Sequence, residues 1–125
     1  MYPVSEDKMS AFDQAVLSDL SRLEAIRANH SSASIANVRA SIARETKIAP
    51  GTLENIRRKR TKGVRGWIAE TIRAALLREL QREITRLNHE FKMLVASGAG
   101  HRDCEMEQVA ADLARVKLSL DAVKQ

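Results

Sequence analysis

Aromatic side chains are nearly missing from this 125-residue chain, which has one Trp, one Tyr and two Phe. Because 44% of the residues are nonetheless hydrophobic, any core has to be aliphatic. Val and Ile alternate with polar residues over no convincing run, so β-strands are not expected and helices must build that core. The single cysteine, Cys104, excludes an internal disulfide and fits a reducing cytoplasm. No apolar run approaches the roughly 20 residues needed to cross a bilayer. The first ten residues, MYPVSEDKMS, lack the charged-then-apolar order of a secretion signal. These absences predict a soluble, cytoplasmic, all-α protein: one small domain, or a small domain with an extension.

Acidic side chains run short in one block only. Residues 34–66 hold nine Lys/Arg against two Asp/Glu, whereas residues 1–33 hold three against five. Segments 67–97 and 98–125 are close to balanced, so the net charge of +5 comes from that one block. A basic run by itself is usually a solvated face. One that coincides with a two-helix pattern points to nucleic acid.

The pattern runs from Val38 to Lys62, VRASIARETKIAPGTLENIRRKRTK. Ile35, Val38 and Ile42 fall three and four residues apart, giving a first helix one apolar side. Ala43 lies on that side, where a small side chain lets a second helix cross closely. The periodicity breaks at Ile48-Ala49-Pro50-Gly51, and Pro50 suits the first turn of a new helix. Leu53 and Ile56 then form a narrow buried edge. At about 100° per residue, the opposite side carries Glu54, Asn55, Arg58 and, a turn later, Lys62. Thr52 and Lys59 lie on one flank, Thr61 and Arg57 on the other. Arg60 points to the core side, so it either snorkels or follows the end of the helix.

Such a face suits a major groove. Asn pairs bidentately with adenine, Arg with guanine, and a carboxylate accepts from cytosine N4. Base reading is therefore expected of Glu54, Asn55 and Arg58. Phosphate contacts are expected of Thr52, Arg57, Lys59, Lys62 and Arg65, joined by Lys47 and Arg39 from the preceding helix.

At these residues the chain resembles the bacterial and phage helix-turn-helix regulators. Ala43, Ile48, Leu53 and Ile56 occupy that family's small and apolar signature places at its spacing. Lys47 stands where the family usually has Gly, and Ala49 where it usually has a Ser or Thr cap. Pro50 and Gly51 hold two places that often read bases. The resemblance covers about a fifth of the chain. It implies double-stranded DNA as partner, and supports DNA binding better than strong sequence specificity.

The remaining segments read as support. A first helix should start at Ser10, with Asp13 completing a capping box and Phe12, Val16, Leu20, Leu23 and Ile26 forming its stripe. It should pack under the two-helix segment. A loop at 29–33 leads to a second cap near Ser34. Gly63 and Gly66 permit a change of direction, and Trp67 is expected to pack against the two-helix segment rather than stack on a base. The division into domains then falls at 1–66, DNA-binding, and 67–125, oligomerising.

Within 67–125 a long helix to Ser97 keeps a heptad at Leu77, Leu80, Ile84, Leu87, Phe91 and Leu94. Glu79 with Arg82 and Glu83 with Arg86 are pairs on its wetter side. Gly98-Ala99-Gly100 ends it, and Asp103 caps a last helix with apolar residues at Met106, Val109, Leu113, Val116, Leu120 and Val123. The short connection favours an antiparallel hairpin. A helix of roughly 45 Å exceeds what one small subunit covers, so two hairpins are expected to pair in a homodimer, with higher oligomers possible.

Chemistry is sparse. His101 and Cys104 near Glu105 and Glu107 fall short of a structural zinc set. No nucleophile–base arrangement or phosphate-cradling loop can be named, so neither an enzyme nor a cofactor is expected. The chain also resembles small terminase subunits of phage DNA packaging, which join a helix-turn-helix to an oligomerising hairpin. A third reading is a protein-interaction module whose coiled hairpin is the working surface and whose basic face is merely solvated. Positive charge alone suits RNA as well as DNA.

Overall fold

The computed structural model describes residues 10–60, 63–98 and 103–124. Five helices and no strands occur among these residues. None of the helices is long and apolar enough to cross a membrane.

The first two helices begin where a serine supplies a partner for a free amide. Helix α1, Ala11–Asn29, is capped by extended Ser10, whose hydroxyl accepts the Asp13 N–H at 3.0 Å. Helix α2, Ile35–Thr46, is capped in the same way by Ser34, which accepts from Asn37. Helix α3, Pro50–Arg57, has no side-chain cap at Ala49 and starts on its proline, whose missing N–H needs no partner. Helix α4 runs Gly66–Ser97 and stops at Gly98, which takes a left-handed φ of +64°. Helix α5 spans Asp103–Lys124; the cap expected of the Asp103 side chain lies outside the described residues.

Two compact units meet between Leu76 and Leu77. In the first, α1, α2 and α3 pack on one another pairwise. Leu20, Leu23, Ile42, Leu53, Ile56 and Ile72 are fully buried there, with Val16, Val38, Ala43 and Ile48 nearly so. The start of α4 belongs to this unit and buries Ile68, Ile72, Ala75 and Leu76. The compact unit thus ends ten residues beyond Gly66, because the apolar stripe of α4 is already in use in its first turns.

Several expectations need correction. Phe12 and Ile35, assigned to apolar stripes, are about half exposed, and Trp67, expected to pack, is 52% exposed. All three sit in the first two positions of their helices, where side chains tilt back past the helix end and beyond the packed region. Arg60 lies outside α3, which has ended by Arg57.

In the second unit the buried apolar residues are Leu80 and Leu87 on α4 and Val109, Val116 and Val123 on α5, each set at sevenfold spacing. Leu77, Ile84, Phe91 and Leu94 on α4, and Met106, Leu113 and Leu120 on α5, are only partly buried. Met93, Val95 and Leu118 are exposed. Glu79 pairs with Arg82, and Arg86 bridges Glu83 and Glu90 along the helix.

Candidate nucleic-acid interface

Helix α3 is oriented by two side chains. Leu53 and Ile56 are both fully buried, and helical geometry then turns Asn55 and Arg58 to the solvent side, where both are exposed. Gly51 is exposed on the same side and Pro50 at the helix start, while Thr52 and Glu54 are partly buried.

The turns at either end of α3 are unusual in one respect. Lys47 and Lys59 are the non-glycine residues with positive φ among those described, at 59° and 60°. Lys47 ends α2, and the following turn is sewn by buried Thr46. Its hydroxyl donates to the Ile42 carbonyl at 2.7 Å and accepts the Ile48 N–H at 3.4 Å. Lys59 occupies the left-handed position of a Schellman stop. Its N–H reaches the Ile56 carbonyl at 3.1 Å, and that of Arg60 reaches Asn55 at 2.8 Å. A side chain at this conformation costs roughly 1–2 kcal/mol, so each lysine is held where glycine fits better. Both are exposed, as are Arg44, Arg60 and Arg65. Lys62 lies outside the described residues.

Behind the face runs a line of alternating charge. The Glu24 carboxylate of α1, only 9% exposed, accepts from Arg57 Nε at 2.6 Å and lies 3.7 Å from Arg39 Nε of α2. Arg39 Nε is buried with no hydrogen-bond partner among the described residues. Arg57 Nη1 also donates to Glu54 Oε1 at 2.7 Å, and Arg58 Nε donates to Glu54 Oε2 at 2.5 Å. The Arg58 hydrogen bond, then that of Arg57, holds the Glu54 carboxyl below its ordinary value against a smaller opposing effect of desolvation. Four residues expected to touch DNA, Arg39, Glu54, Arg57 and Arg58, are therefore joined to other side chains of the protein. A separate pair, Arg27 with Glu45, ties α1 to α2.

The chain leaving α3 is fastened from below. Asp13 is buried, and its two carboxylate oxygens accept the Gly63 and Val64 amides, each at 3.0 Å. Only the Ser10 half of the expected capping box forms, because the Asp13 carboxylate is turned to these amides instead. Beyond the anchored amides, Arg65 and Trp67 line a 450 Å³ hollow with Thr52, Ile56, Val64 and Ile68.

The grip of Asp13 on Gly63 and Val64, the ion pairs of Glu24 and the exposure of Trp67 escaped sequence reasoning. One signal was present: about 100° per residue puts Asp13 and Glu24 on the margin of the face that carries Val16, Leu20 and Leu23. Acids at such places have to find buried donors.

No protein-family model matches the chain, and no curated protein or solved structure is found to match it.

Proposed function

We propose that this chain binds double-stranded DNA as a helix-turn-helix protein, with α2 and α3 as its two helices and α3 in the major groove. In this reading it is a dimeric transcriptional regulator of bacterial, phage or plasmid origin, resident on the nucleoid. The observation that carries the proposal is the outward pair Asn55 and Arg58, set between exposed Lys47 and Lys59 in a block with nine cations and two acids. Asn and Arg are the side chains that read adenine and guanine edges. Lys47, Lys59 and Arg65 would hold phosphates, with Thr52 at the margin and Lys62 continuing the cationic run.

Residues 77–125 are read as a hairpin that pairs with a second copy. The supporting feature is the set of apolar positions left partly open, Ile84, Phe91, Leu113 and Leu120 among them. A twofold pair of hairpins would set two α3 helices over half-sites about one DNA turn apart, or a multiple of it.

A titration against salt tests the reading. A protein neutralising six or more phosphates loses about a thousandfold in affinity between 50 and 200 mM salt. A flat response would reduce the basic block to a solvated surface, and equal affinity for duplex RNA would remove the DNA assignment. The same open apolar positions also suit a packaging ring like those of small terminase subunits. The mass in solution decides, two copies supporting a regulator and eight or more a ring.

A further inference from the structure

The DNA-binding reading leaves open why two arginines and two glutamates, Glu24, Glu54, Arg57 and Arg58, are strung from beneath α3 to its outer face. We propose that this string aims Arg58 at guanine, and that Glu54 and Arg57 are positioning residues in it rather than contacts to nucleic acid. The inference rests on the DNA-binding reading.

The geometry favours that division of labour. Arg57 is 13% exposed and gripped at Nε by Glu24 and at Nη1 by Glu54, so it faces the protein. Glu54 has one oxygen on Arg57 and the other on Arg58. An unpaired carboxylate beside phosphates would repel them, whereas one between two guanidinium groups is neutralised. Arg58 is 57% exposed, and the acid holds it at Nε. Its terminal Nη1 and Nη2 then remain as an end-on fork, the shape that fits guanine O6 and N7 together. Arg58 sits at the C-cap of α3, where a long side chain without such a tether would sample many rotamers. An exposed ion pair adds little to stability, so orientation is the more economical account of the Glu54–Arg58 bond.

The test is selection of bound duplexes from a random pool by the full chain, by Glu54→Ala and by Arg58→Lys, with the fold of each checked by circular dichroism. The wild type is expected to select guanine at one position in each half-site. Glu54→Ala should lose discrimination there by about tenfold while keeping or gaining affinity for random duplex, since a negative charge has gone. Arg58→Lys, which lacks the fork, should lose the same preference. In the free protein, the Arg58 Nε–H resonance should exchange slowly in the wild type and quickly in Glu54→Ala. Retained guanine selection by Glu54→Ala, with relaxed selection of cytosine at another position, would make Glu54 a base reader and overturn the inference alone. A wild type that binds no duplex overturns it together with the DNA-binding reading.

Discussion

Asp13, near the start of α1, accepts the backbone amides of Gly63 and Val64 across 50 and 51 residues of chain. One buried carboxylate thereby fixes the path of the segment that leaves α3. Asp13→Asn replaces one accepting oxygen by a donor facing an amide, which should cost about 1–3 kcal/mol. Urea unfolding of the variant at neutral pH measures it.

The same contact sets a pH dependence. The Val64 amide, then the Gly63 amide, draw the Asp13 carboxyl below its ordinary value, with burial opposing and Ser10 assisting. A folded value below the unfolded one means that this stabilisation is complete above the unfolded value and disappears as pH falls through the folded one. Glu54 acts with the same sign, and Asp19, raised mainly by burial, with the opposite sign. The difference between wild type and Asp13→Asn therefore isolates Asp13. It should shrink in acid, read as converging melting temperatures below the ordinary carboxylate range.

Lys47 and Lys59 offer a stability gain with a functional cost. Lys47→Gly and Lys59→Gly each relieve a left-handed side chain and should stabilise the protein by about 1 kcal/mol. If each lysine holds a phosphate, the slope of log affinity against log salt should fall by about 0.9 per substitution. A stabilised variant with an unchanged slope would leave that lysine without a role in binding.

Glu24 is the acid that Arg39 and Arg57 share. Glu24→Ala takes from Arg57 the acceptor at its Nε and from Arg39 its nearby acid, leaving Arg57 only Glu54, and should cost about 3 kcal/mol, visible in the urea midpoint. A loss below about 1 kcal/mol, the range of exposed pairs, would mean that solvent replaces the carboxylate freely.

Trp67 is the chain's one tryptophan and stands at the rim of the hollow shared with Thr52 and Arg65. Duplex binding should alter its fluorescence, and Trp67→Ala should weaken binding by removing a contact with the sugar–phosphate backbone. Unchanged emission at saturating duplex would place the hollow outside the contact surface.

Local chemistry was the legible part of this chain. Ser10, Ser34, Pro50 and Gly98 mark helix ends within a residue or two, because capping acts over three or four positions. The buried edge of α3 was equally plain from Leu53 and Ile56. Contacts made at long range were not. Nothing near Arg57 names Glu24, 33 residues earlier, and nothing near Asp13 names Gly63. Periodicity also assigned Phe12 and Ile35 to the interior, because it records direction around a helix and not distance from its end. The place of Lys47 was visible as a departure from the glycine usual in the resembling family, and the backbone there does adopt the glycine-like conformation.

The Schellman stop at Lys59 limits α3 to eight residues, a rod about 12 Å long. Laid along a groove, that reaches no more than about four base-pair steps at roughly 3.4 Å each. Bound to DNA as proposed, a lone copy would therefore spell only a very short word, one repeated by chance throughout any genome. On the proposed reading, addressing a particular locus falls to the spacing between paired copies and to the local stiffness of the duplex.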